Sequence, residues 1–285
     1  NKDVDLKLIA KSTVGLVGAD LENLVNEAAI LAAREGFDSV EMLHFENAKD
    51  KVMLGVERKS MIITDRDRKI TAYHESGHAL VAYFTPEADP VHKITIIPRG
   101  QALGVTAQLP VEDKYNYSKK YLLGRLDILM GGRCAEKIIF SDITTGAGND
   151  ISVASDIAKR MVCEWGMSES LGPLKYGRPD AEVFLGKDYN EKSNTSDHVS
   201  ELIDTEISIL IKKAENNALN LINSNIDKLH DLSKALLDEE TIDSDRFQDI
   251  MKNGYSELTT DPVDADASSQ KKRVRRKSDT SNNQD

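Results

Sequence analysis

Cysteine, aromatic residues and long apolar runs are all scarce in this chain of 285 residues. Its two cysteines, Cys134 and Cys163, lie far apart and form no CxxC pair, which excludes a disulfide framework and a cysteine zinc site. No apolar run reaches the ~20 residues that span a bilayer, and we expect no signal peptide. Aromatic residues make up 5% of the chain, and the abundance of Ala, Leu, Lys and Glu favours helices.

Positive charge is also scarce, because the formal net charge is -11. Residues 271–277 alone carry six positive charges, so the rest of the chain is more negative still. This acidic remainder of the chain lacks the basic surface that binds nucleic acid, and no nucleic-acid partner is predicted. The polar composition of residues 253–285 predicts a disordered tail that contains this basic run.

The hydrophobic pattern predicts a mainly α protein with a small β-sheet. Helical stripes fill residues 5–56, and a Thr64-x-x-Asp67 capping signal starts a helix near Asp65 that should stop before Pro86. Two alternating segments, 92–98 and 104–109, indicate strands. Further helices are predicted over 118–140, 150–165, 199–222, 226–237 and 244–252.

The helix after Asp65 carries an HExxH motif made of His74, Glu75 and His78. Residues four apart share one face of a helix, so the two imidazoles can bind one Zn²⁺. Glu75 follows the first histidine, where it can take a proton from an attacking water. The alternative is an exposed polar patch, but the surrounding apolar residues make unpartnered histidines costly. Gly77 would allow another element to approach closely.

A catalytic zinc needs a third protein ligand. Phe84 occupies the position at which metzincins place a third histidine, so that subclass is excluded. From the motif alone the third ligand stays open, and one alternative is an HExxH hydrolase that uses a downstream Glu.

Seven stretches resemble the FtsH family of membrane-anchored AAA+ zinc proteases, in the family's order. They are Gly18–Ala29, Ala72–Ala79, Ile97–Gly100, Gly131–Glu136, Thr144–Ile151, Trp165–Ser168 and Leu171–Pro173. The resemblance implies an AAA+ helical lid over residues 1–58 and a zinc peptidase domain over 59–252. It also implies that Gly18 and Ala19 lie near the nucleotide base of the parent protein.

The resemblance further implies zinc ligation by His74, His78 and Asp150, with Glu75 as the catalytic base. It implies a homo-hexamer that acts on unfolded, misfolded or membrane proteins, and a membrane anchor outside this chain, with this part on the cytoplasmic side or its organelle equivalent. The chain has no GxxxxGK[ST] phosphate loop, so ATP and Mg²⁺ would be cofactors of the longer parent protein only.

Helical spacing supports Asp150 separately, because Ala154, Ile157 and Met161 continue one apolar stripe from it. A carboxylate that heads a buried face needs a partner. The competing acids are Asp142, Asp156 on a polar face, and Glu136 as an outer partner of a ligand. Asp150 could also simply cap its helix, although Asn149 is expected to fill that role.

The predicted function is therefore a zinc-dependent endopeptidase, with a non-catalytic ring-forming or nucleotide-binding module as the alternative. The strand at 104–109 is expected either to dock an extended substrate along its edge or to be an ordinary core strand.

Overall fold

The computed structural model describes residues 1–256 except 3, 59–60, 62, 101, 111–113, 115 and 177–195. The described residues between Asn1 and Tyr255 form one compact unit. The helices in the described part are α1 (Leu6–Ser12), α2 (Gly18–Glu35), α3 (Met42–Leu54), α4 (Asp65–Phe84), α5 (Lys119–Phe140), α6 (Gly148–Cys163), α7 (Asp197–Ser224), α8 (Ile226–Glu239) and α9 (Ser244–Asn253). The strands are β1 (Val91–Thr95), β2 (Val105–Gln108) and β3 (Thr241–Asp243).

The first three helices have a small apolar cluster of their own, centred on Leu24, Ala28 and Ala48. Asp5 caps α1 by accepting hydrogen bonds from the backbone N–H groups of Lys7 and Leu8. Gly36, at φ 80°, ends α2 in the left-handed conformation that glycine adopts most readily. This cluster is separate from the main core, which lies around α4, α5, α7 and α8.

Helix α4 lies in the middle of the main core. Thr64 caps it by accepting a hydrogen bond from the N–H of Asp67, as the sequence predicts, and the helix is buried from Thr71 to Ala82. Gly77 allows α5 to approach closely, because an added Cβ would lie 2.5 Å from the carbonyl oxygen of Gly131. The predicted close approach is confirmed, and it brings the HExxH turn against α5.

The sheet is antiparallel, in the order β2-β1-β3. The third strand was not predicted, since three residues directly before a helix are too few to show alternation. Ile94, at the centre of β1, is fully buried and pairs with Thr106 of β2 and Ile242 of β3. Among the described residues no strand pairs with the other side of β2, so β2 is an edge.

Ion pairs join α3 to β1. Lys93 Nζ of β1 lies 2.6 Å from Asp50 Oδ2 of α3, and within α3 Lys49 Nζ lies 2.6 Å from Glu46 Oε2. Nε2 of His92 lies 3.6 Å from the same Glu46 oxygen. Burial alone raises the pKa of Glu46, but hydrogen bonds with His92 and Lys49 outweigh it and lower the pKa to about 2. The Lys93–Asp50 and His92–Glu46 contacts therefore hold α3 against the sheet.

The predicted mainly α fold with a small sheet is confirmed. Residue 253 belongs to α9, and positions 257–285 of the predicted disordered tail lie outside the described residues. The division at residue 58 stays a prediction. In the part of the chain that the structure describes, no helix combines the length and the apolar character needed to cross a bilayer.

Candidate metal centre and active site

Helix α4 places His74 and His78 one turn apart, with both side chains buried. Their Nε2 atoms lie 3.0 Å from each other, and each lies 3.3 Å from Oδ2 of Asp150. Ligand atoms about 2.0–2.2 Å from a tetrahedral zinc are themselves about 3.3 Å apart. The three converging atoms therefore have the spacing of a zinc ligand set.

Asp150 reaches the histidines from the first turn of α6. That helix begins at Gly148 with Ala147 as its N-cap residue and no side-chain cap. The expectation that Asn149 caps the helix is therefore wrong, because Asn149 already lies within the first turn. Ala154 and Met161 are buried on the same side, as the apolar stripe predicts, and this packing directs Asp150 inward.

Gly132 of α5 makes room for the two imidazoles. A Cβ at this position would lie 2.5 Å from Nε2 of His74 and 2.6 Å from Nε2 of His78. Real Cβ atoms do not approach other heavy atoms this closely, so a side chain here would displace both rings. The two imidazoles therefore require glycine at position 132, and no pattern in the sequence reveals this requirement.

The outer nitrogens of both rings are held by acceptors. Nδ1 of His74 donates to Oε1 of Glu136 at 2.6 Å, and Nδ1 of His78 donates to the carbonyl oxygen of Ile128 at 2.8 Å. Oε2 of Glu136 in turn accepts a 2.8 Å hydrogen bond from the N–H of Thr144. In the neutral rings these bonds favour the proton on Nδ1 and direct the Nε2 lone pairs at the shared point, which is the tautomer a metal requires.

The charges at this point favour a cation. Burial lowers the pKa of His74, but Asp150 and Glu136 outweigh it and raise the pKa to about 10. Burial raises the pKa of Asp150, but hydrogen bonds with His74 and His78 hold it well below its usual range. Two ionised carboxylates that attract a proton to the histidine pair would attract a divalent cation in the same way.

Glu75 lies beside this centre and is itself buried. Burial raises the pKa of its carboxyl group, which the nearby histidines and a hydrogen bond from Thr106 oppose. A raised pKa makes a carboxylate a stronger base. Gly104 leaves space for the side chain, since a Cβ there would lie 2.8 Å from Oε1 of Glu75.

The histidines and Glu75 open onto a cleft of about 1010 Å³. Strand β2 lines one wall, and Arg125, Ile128 and Leu129 of α5 line another. The N–H of Leu109 donates to the carbonyl oxygen of Pro90, so by alternation the N–H groups of Thr106 and Gln108 point away from β1. The open edge of β2 therefore runs along the cleft.

The other predicted residues lie elsewhere. Asp142 accepts a hydrogen bond from the N–H of Ile143 at the surface, and Asp156 is exposed on α6. Gly18 and Ala19 are exposed at the start of α2. Glu136 is an outer partner of His74, and it is not one of the three converging groups.

A comparison with protein families gives two matches along the chain. The description "Peptidase family M41" matches residues 61–250, and the description "AAA+ lid domain" matches residues 3–47. The chain belongs to peptidase family M41. The M41 match includes all of His74, Glu75, His78 and Asp150, together with the cleft.

Several relatives of this M41 chain carry the name ATP-dependent zinc metalloprotease FtsH. The one from Syntrophotalea carbinolica is 49% identical over 263 residues, which are 92% of this chain and 41% of the relative. The one from Acidobacterium capsulatum is 50% identical over 272 residues, 92% of this chain and 42% of the relative. The one from Thermotoga maritima is 48% identical over 258 residues, which are 90% of this chain and 42% of the relative. The chain thus spans about two fifths of the length of these relatives.

Proposed function

We propose that this chain is a zinc-dependent endopeptidase that hydrolyses peptide bonds of unfolded or misfolded proteins. One observation carries the proposal: the Nε2 atoms of His74 and His78 and Oδ2 of Asp150 converge next to Glu75, at a cleft bordered by a free strand edge. His74, His78 and Asp150 would hold the zinc. Their two neutral imidazoles and one carboxylate, with room for a further ligand, suit a catalytic site.

The remaining groups act on water and substrate. Zinc, when bound, would polarise the water and the peptide carbonyl. Glu75 takes one proton from the attacking water and then delivers it to the amine that leaves as the C–N bond breaks. The substrate lies extended along β2, pairing with the outward backbone groups of Thr106 and Gln108, and this mode reads the backbone with little preference for side chains.

The longer protein would add ATP binding, assembly into a ring and a membrane anchor. The lid match and the names of the relatives support an ATP-dependent ring, with a homo-hexamer as the expected assembly and with Gly18 and Ala19 near the nucleotide base. ATP and Mg²⁺ would bind in segments outside this chain. A membrane anchor would likewise lie outside it, and this part would face the cytoplasm or the equivalent organelle compartment.

Zinc content and cleavage of an unfolded protein test the proposal together. We expect about one zinc per chain and digestion of casein, both lost in His78→Ala. Glu75→Gln should keep zinc and lose cleavage, because the amide preserves shape and removes the base. Zinc-free wild-type protein without cleavage would favour the non-catalytic ring-forming or nucleotide-binding alternative. Undiminished zinc in His78→Ala would contradict the ligand assignment.

A further inference from the structure

The hydroxyl of Thr106 contacts Glu75 twice. Oγ1 lies 2.7 Å from Oε2 of the Glu75 carboxylate and 3.1 Å from the backbone oxygen of the same residue. Thr106 lies at the middle of β2, on the strand that borders the cleft. A residue of the edge strand is therefore joined directly to the side chain proposed to move the proton.

On the basis of the function proposed above, we propose that Thr106 is a positioning residue that holds Glu75 in one orientation in both of its protonation states. The hydroxyl has one proton and two lone pairs. While Glu75 is a carboxylate, the hydroxyl donates to Oε2. When the other carboxylate oxygen has taken the proton from water, Oε2 remains an acceptor, so the hydroxyl continues to donate to it.

The two contact distances fit this role. Both acceptors belong to one residue and lie within hydrogen-bonding distance of one hydroxyl, so the hydroxyl ties the end of the Glu75 side chain to the backbone of the same residue. A hydroxyl satisfies the base before and after it receives the proton.

The Glu75 carboxylate is buried, and one hydrogen bond orients it. Gly104 faces Cγ and Oε1 of Glu75 without a side chain, and a Cβ there would lie 2.8 Å from either atom. Among the described residues, the hydroxyl of Thr106 is the one hydrogen-bond donor that reaches this carboxylate, at Oε2. Loss of the hydroxyl should therefore free the side chain to rotate away from the reacting water.

Thr106→Val tests the proposal, because valine keeps the shape and the β-branching and removes only the hydroxyl. We expect kcat to fall on the order of 10- to 100-fold, the loss typical when an outer partner of a metal ligand is removed. KM for a short unfolded peptide should change less than about twofold, since the outward backbone groups of β2 remain. Zinc content should not change, and Thr106→Ser should restore most of kcat.

Thr95→Val is the matched control, because Thr95 is a buried threonine in the adjacent strand whose hydroxyl contacts Glu240 and Thr241. It should lower stability and leave kcat unchanged. Crystals should show one Glu75 rotamer in wild-type and Thr106→Ser protein and a rotated or divided one in Thr106→Val. An active wild type whose Thr106→Val variant keeps kcat and the Glu75 rotamer overturns this inference alone, whereas an inactive, zinc-free wild type overturns the proposed function.

Discussion

Oε1 of Glu136 accepts a 2.6 Å hydrogen bond from Nδ1 of His74, on the side of the ring opposite the proposed metal. In Glu136→Gln, the amide keeps one acceptor but turns an NH₂ group toward either His74 or the N–H of Thr144. We expect zinc to remain at one per chain while its affinity falls on the order of 10- to 100-fold. Competition with a chelator measures this, and Glu164→Gln at the exposed end of α6 should match wild type. An unchanged affinity in Glu136→Gln would contradict the proposed support of His74.

Asp150→Asn should lose most of the zinc affinity and the peptidase activity. An amide is a poor replacement for the anionic ligand, and it leaves the histidine pair without its counter-charge. Asp142→Asn provides the control, because this exposed carboxylate lies close in sequence and does not join the three converging atoms. Zinc titration followed by a casein digest separates the variants. An Asp150→Asn protein that binds zinc and cleaves like wild type would show that another group is the third ligand.

The parts of the site that follow from local periodicity could be predicted from the sequence. His74 and His78 share a helix face because of their spacing, and Gly77 indicated the close approach of another element. The inward direction of Asp150 followed from the apolar stripe through Ala154 and Met161. The same reasoning misplaced the start of α6, because a short 3-10 turn over Thr145–Ala147 runs directly into the helix.

The parts that depend on packing between distant segments could not be predicted. Thr106 meets Glu75 only because β2 lies against α4, and nothing in its strand marks the hydroxyl as special. Gly132 has a reason to be glycine only once α5 crosses α4 next to both imidazoles. Strand β3 exists because β1 offers it a partner, which a three-residue segment cannot reveal by itself.

Gly132→Ala should prevent zinc binding without unfolding the chain. The added methyl group would overlap the space of both Nε2 atoms, at 2.5 and 2.6 Å, and the rings would have to turn away. Alanine also favours a helix over glycine, so any loss is not one of helix propensity. The matched control is Gly148→Ala in α6, where an added Cβ meets nothing within 4 Å. Equal zinc affinity in the two variants would count against the described ring positions.

Glu46 should make stability depend on pH. Its folded-state pKa of about 2 lies below the ordinary 4.5, so its contribution is complete above pH 4.5 and is lost as pH falls toward 2. The shift corresponds to roughly 3 kcal/mol at most. Urea unfolding should therefore find Glu46→Gln less stable than wild type at pH 7, with the difference shrinking between pH 4.5 and pH 3. The exposed Glu22→Gln should show little difference at any pH, and a constant deficit in Glu46→Gln would exclude the ion pairs as its cause.

Substrate docking along β2 is testable on the substrate, with the enzyme left intact. Proline at Val105 or Ala107 would disturb the bonds to β1, because the N–H groups of these residues point inward, whereas those of Thr106 and Gln108 face the cleft.

An unfolded peptide bound to this edge must pair through every second amide. N-methylation of the paired amides of the substrate peptide, which are two residues apart and do not include the cleaved bond, should raise KM about tenfold or more. Methylation of the amides between them should have little effect. A KM that rises equally for both series would point to a steric effect. No rise in either series would mean that β2 is an ordinary core strand and that the substrate binds elsewhere in the cleft.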